Sequence, residues 1–181
     1  ELDAAIKAKE AELESLLEAA LKQDRLRNRP KATAERLVAR LKAQAPPGGV
    51  FNATDDLLIE WRERGEREGK PFDLAVALEL ARLNHARAKG PQLGQALLSL
   101  GNCHLSIGER QATDHHLTRA IRCYSEALKE FPRKQRPENW AATQNNLGNA
   151  LRALGEREGD PTLLQAAITA YTAALTVYKP E

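Results

Sequence analysis

Cys103–His104 is the place in this sequence where a nucleophile and a base stand side by side. Acyl or group transfer through a covalent intermediate would need that thiol, a base within reach and a third group to orient the base. Both residues lie in a helical pattern, where neighbours point about 100° apart. The two side chains therefore diverge. A metal is the other chemistry to weigh, with His85, His104, His115, His116 and Cys123 as donors. His115 and His116 are again adjacent, so they do not share a helix face, and His104 sits in an apolar pattern that points to packing. Gly65–Glu66–Arg67–Glu68–Gly69–Lys70 has the look of a phosphate-binding loop. It is one residue short, and it lacks the Ser or Thr after Lys that would hold magnesium. A second copy at 155–160 ends in Asp160, which reverses the charge a phosphate would meet. These residues predict no catalytic centre, no metal and no cofactor.

The elements that carry them are helices. Among 181 residues there are 30 Ala and 27 Leu, but only four Val and five Ile. Strands favour β-branched and aromatic side chains, helices Ala and Leu, so the chain is expected to be all-α. The charge balance of 27 basic against 25 acidic residues lacks the basic excess of a nucleic-acid binder. No apolar run approaches the ~20 residues of a membrane span. Two cysteines make no disulfide framework. A chain that opens at Glu1 and contains no Met is expected to be a piece of something longer, and the compartment expected of it is the cytoplasm.

The sequence repeats itself. Leu100–Gly101–Asn102 returns 47 residues later as Leu147–Gly148–Asn149. At that offset Gly108–Glu109–Arg110 meets Gly155–Glu156–Arg157, and Ala120, Ile121, Tyr124, Ala127 and Leu128 meet Ala167, Ile168, Tyr171, Ala174 and Leu175. A more divergent copy lies 43 residues upstream of the second, with Gly65–Glu66–Arg67, Leu57, Ala77 and Leu78 in register. Each copy reads as two helices, A and B, with the glycine of Gly-Glu-Arg expected to stop helix A in a left-handed turn. Pro161 suits the first turn of the last helix. The units are 52–90, 91–136 and 137–181. Residues 1–45 stand outside them as a helical hairpin, with Leu2, Ile6, Leu13, Leu16, Leu17 and Leu21 on one face of its first helix. That hairpin is expected to cap the array, a dimerising first helix being the alternative. Pro46–Pro47–Gly48–Gly49 marks the linker, 46–51.

This pattern resembles the tetratricopeptide repeat (TPR) family, in a long-repeat form common in bacterial signalling proteins. The resemblance rests on Leu-Gly in helix A, then Ala, an aromatic four residues on, another Ala three later, and a closing Pro. Leu100–Gly101, Ala120, Tyr124, Ala127 and Pro132 fit, as do Leu147–Gly148, Ala167, Tyr171 and Ala174, with Lys179–Pro180 closing. The first copy departs, with Leu58 for Gly and Asn84 for the second Ala. The surplus length falls in the turn after Gly-Glu-Arg and in Arg133–Asn139.

The resemblance implies a right-handed α-solenoid of antiparallel helix pairs whose concave groove is lined by the A helices. It implies that an Asn two residues after the signature Leu binds a ligand backbone. Asn102 and Asn149 stand there, Asn145 and Asn146 adjoin, and Arg152 follows one turn later. An amide offers donor and acceptor alike, so it can pair with any peptide group. Leu98 replaces the Lys of the family's carboxylate clamp, so a chaperone-tail receptor is not expected. The expectation is a non-catalytic module that binds a protein or peptide, neither nucleic acid nor membrane. The second reading is self-association, as a homodimer through an exposed solenoid end or as a spacer that positions an effector domain.

Overall fold

The computed structural model describes residues 2–46 and 48–178. Pro47 of the linker and Lys179–Pro180, expected to close the third copy, lie outside them. The described residues form eight helices and no strand. They are α1 (Leu2–Leu26), α2 (Pro30–Gln44), α3 (Val50–Glu68), α4 (Pro71–His85), α5 (Gln92–Gln111), α6 (Asp114–Glu130), α7 (Pro137–Glu158) and α8 (Pro161–Tyr178). From α3 onward each helix packs on its neighbours in sequence, and α5 also touches α3 and α7. The helices pair as α3·α4, α5·α6 and α7·α8.

Proline opens four of the helices, at positions 30, 71, 137 and 161. Its missing N–H is no loss in the first turn, where helix donors have no partner. The ends of the A helices differ from the expected ones. Gly65, Gly108 and Gly155 do not stop their helices, which run on to Glu68, Gln111 and Glu158. The left-handed residues come four later, at Gly69 (φ 64), Ala112 (φ 51) and Gly159 (φ 64). The A–B connections are thus two residues long, and the residues expected to lengthen that turn extend helix A by a turn instead. The recurring glycine is a packing residue instead. A Cβ on Gly65 would lie 2.8 Å from Leu74, and one on Gly108 2.7 Å from Leu117. Helix B can start so close to helix A only because no side chain intervenes.

Gly101 and Gly148 serve the same purpose one level up. Each faces the tyrosine of its own helix B, Tyr124 or Tyr171, where an added Cβ would come within 2.6 Å of the ring. In the first copy this contact is inverted. Leu58 takes the glycine's place and Ala81 the tyrosine's, and both are buried. Large and small side chains have exchanged sides, which keeps the volume close to constant. Asn84, the other departure, is buried and donates through Nδ2 to the carbonyl of Phe51 at 3.2 Å.

The main core joins α2, α3, α4 and α5 through Ala34, Leu37, Val38, Leu58, Trp61, Val76, Leu80 and Ile107. Two further clusters join α6 to α7: Leu117 with Ala153 and Leu154, and Ala120 with Tyr124 and Ala150. Phe131, just past α6, is fully buried with Leu97 and Ala127, beneath Gly94. Helix α1 is held differently. Ion pairs tie it from its middle onward: Glu14 to Arg40 (2.7 Å), Asp24 to Arg36 (2.9 Å), and Arg25 to the buried carboxylate of Asp73 (2.5 Å). Asp73 also takes Arg64 at 2.6 Å. The single apolar face expected of α1 is divided: Leu17 and Leu21 are half-buried, while Leu2, Ile6, Leu13 and Leu16 are exposed.

Candidate functional site

The helix A asparagines are fixed by the tyrosines of helix B. Tyr124 donates its hydroxyl proton to Oδ1 of Asn102 at 2.9 Å, and Tyr171 does the same to Asn149 at 2.7 Å. Gly101 and Gly148 make both bonds possible, since they let the rings lie against helix A. Asn102 Oδ1 receives a second bond, from Nδ2 of Asn146 at 3.0 Å. That bond crosses from α7 to α5. The oxygen of Asn102 is therefore committed to structure, and its NH2 group is what remains to offer a ligand.

Asn102 and Asn146 share a cleft of about 430 Å³ with Arg62, Glu66, Leu105, Ser106, Glu109 and Arg110. Arg62 donates to Glu66 at 2.6 Å, and Ser106 also donates to that carboxylate. The walls carry two cations and two anions, so the cleft has no net charge to select an ion. Asn149 and Arg152 do not line it. Arg152 instead donates from one guanidinium nitrogen to both carboxylate oxygens of Glu156, each at 2.9 Å. This pairing is the first cause that holds its pKa above the usual arginine value. Asn145 is exposed on α7, one residue before Asn146.

Sequence reasoning missed Arg62, Glu66, Ser106, Glu109 and Arg110. Glu66, Glu109 and Arg110 belong to the repeated Gly-Glu-Arg, whose recurrence reads in the sequence as a turn. The arginine has a specific task. Arg110 donates to the carbonyl of Glu66, and Arg157 to those of Gly108 (2.7 Å) and Glu109 (3.2 Å). In each case a helix A arginine satisfies carbonyl oxygens in the last turns of the preceding helix A. Cations are favoured there by the helix dipole.

The catalytic and metal readings can be placed as well. Cys103 is buried in the main core, where desolvation pushes its thiol up to about 12. A thiol so protonated is a poor nucleophile. His104 turns away from it toward α6, with Nδ1 2.8 Å from Nδ1 of His116. Burial holds both imidazoles neutral, His104 down to about 3 and His116 to about 4, with His115, Arg82 and Arg119 adding like charge around them. His115 is exposed and its ring lies against that of His116 at a tilt of 47°, centroids 4.2 Å apart. Among the described residues no group of three or more His, Cys, Asp or Glu side chains is arranged to hold a metal. None of the described helices is long and apolar enough to cross a membrane. The sequence matches no family model, and neither a curated protein nor a solved structure shows detectable similarity to it.

Proposed function

We propose that this chain is a non-catalytic binding module. Its helix pairs build a TPR-like right-handed solenoid, and the face of its A helices holds an extended peptide segment of a protein partner. The carrying observation is the fixed amide of Asn102. Two donors hold its oxygen, and its NH2 group borders a cleft with mixed polar walls. A preset amide donor suits a backbone carbonyl, whatever side chain stands beside it. Arg62 and Glu66 are already paired, and Arg110 is engaged with a backbone carbonyl. The net-neutral walls favour a peptide over a phosphate or a polyanion.

The test uses a substitution that separates donor from acceptor. Asn102→Asp keeps an oxygen for Tyr124 and Asn146 but removes the NH2 group. Peptides selected from a random display library on the wild-type chain should bind Asn102→Asp at least about tenfold more weakly, the range for a lost hydrogen bond to a buried ligand group. The melting temperature should change little. Equal binding by the variant would sink the assignment.

A further inference from the structure

Helix α8 carries no charged residue from Pro161 to Tyr178. Ile168 and Leu175 on it are each 56% exposed. The internal repeat shows what such a face is built to meet. The equivalent of Ile168 is Leu78 on α4, 6% exposed, and Ile121 on α6, partly buried. Leu164 corresponds to Leu74 and Leu117, both fully packed, yet Leu164 is itself only half-buried. Tyr124 is fully buried, whereas Tyr171 is not. In the first two copies the following helix A makes the difference.

We infer that the outer face of α8 is a docking surface for a helix of the A type, presented by another helical-pair protein or domain. This inference stands apart from the groove reading. The chemistry of the incoming helix can be read from the two interfaces already formed. On α4 lie Leu100, Cys103 and Ile107 of α5. On α6 lie Leu147, Ala150 and Leu154 of α7, at the corresponding positions. The residue before the first leucine reaches the previous helix A: Ser99 donates to Asp55 at 2.7 Å, and Asn146 to Asn102 at 3.0 Å. The arginine ten residues after that leucine, Arg110 or Arg157, donates to the carbonyl of Glu66 or Glu109. The template is therefore a polar donor, Leu, a small residue at the third position on, Leu or Ile at the seventh, and Arg at the tenth. The third copy holds the matching acceptors. Asn149 Oδ1 stands where Asn102 takes Asn146, and the carbonyl of Glu156 stands where Glu109 takes Arg157.

The probe is a peptide with the sequence of residues 137–158, held helical by a side-chain lactam in place of the Arg152–Glu156 pair, which lies off the packing face. Fluorescence anisotropy would follow its titration with the full chain. Saturable binding is expected. Ile168→Asp, and separately Leu175→Asp, should weaken it more than about tenfold, the range of a central interface residue. Because both residues are half-exposed, the variants should keep the wild-type melting temperature. The same peptide with Leu147 and Leu154 changed to Asp should not bind. Three results would overturn the inference: no saturation, binding that survives both substitutions, or self-association of the chain through α8 that the peptide does not displace. Asn102→Asp should leave this binding intact, which separates it from the groove.

Discussion

Single residues set how closely these helices approach. Gly101 and Gly148 are required because a tyrosine ring occupies the space of their missing Cβ. Gly148→Ala should cost about 1–3 kcal/mol, as overpacking generally does, read as a lower denaturant midpoint at constant slope. The inverted pair in the first copy gives a sharper check. Ala81→Tyr alone should be severely destabilising, and adding Leu58→Gly should restore much of the loss, an interaction energy that a double-mutant cycle would measure. Ala112 is the opposite case, an alanine held at φ 51 where the other copies have Gly69 and Gly159. Ala112→Gly should stabilise by roughly 1 kcal/mol, or about 2–4 °C in melting temperature for a chain of this size. The histidines supply a pH test. Burial first, then neighbouring like charge, keeps His104 and His116 neutral in the fold down to about 3 and 4, while the unfolded chain takes up protons near the ordinary 6.5. The unfolded state thus binds more protons below 6.5, and stability falls as pH drops through that window toward 3. It should be flat with respect to these groups well above 6.5. His104→Leu, which copies the leucine at 151, should flatten the decline between pH 6.5 and 5 in thermal melts.

Helices show where sequence reading succeeds and where it stops. Pairing, order and the start at Pro161 were legible, because apolar spacing and proline are local signals. The ends of the A helices were not. A glycine in a repeated motif reads as a stop, but Gly108 and Gly155 are there for the close approach of helix B, a contact made by Leu117, Leu163 and Leu164 further along the chain. The true stop at Ala112 has no sequence signature at all. Helix α1 shows the same limit. Its leucines predict one buried face, yet the helix is held through charged contacts, Glu14 to Arg40, Asp24 to Arg36 and Arg25 to Asp73, and its first turns lie outside them. Asp73 is fully buried between Arg25 and Arg64. Asp73→Asn would leave both guanidinium groups without their counter-charge and should cost on the order of 3 kcal/mol. Hydrogen exchange should then quicken along all of α1. In the wild type the amides from Leu2 to Glu12 should already exchange faster than those of α3 to α7.

Across the whole molecule the repeat supplies both a scaffold and two distinct surfaces. Arg110 and Arg157 tie each A helix to the one before it, so the pairs from α3 to α8 are linked end to end by the same bond. The A-helix face carries amides oriented by Tyr124 and Tyr171, and the α8 face exposes Ile168, whose equivalents Leu78 and Ile121 are buried and partly buried. The asparagines of the A helices were visible in the sequence because the repeat doubles them. The cleft around Asn102 was not, because Arg62 and Glu66 reach it from one copy and Asn146 from another. The central claim is that Asn102 presents its amide protons to a bound peptide while its oxygen holds the fold. The most direct measurement follows the side-chain amide resonances of Asn102 and Asn146 by NMR as a library-selected peptide is titrated in, for the wild type and for Asn102→Asp. The account predicts that the Asn102 NH2 signals shift on saturation, and that Asn102→Asp keeps a native-like spectrum but no longer binds. Tight peptide binding that leaves those signals unmoved, or that persists in Asn102→Asp, would contradict it.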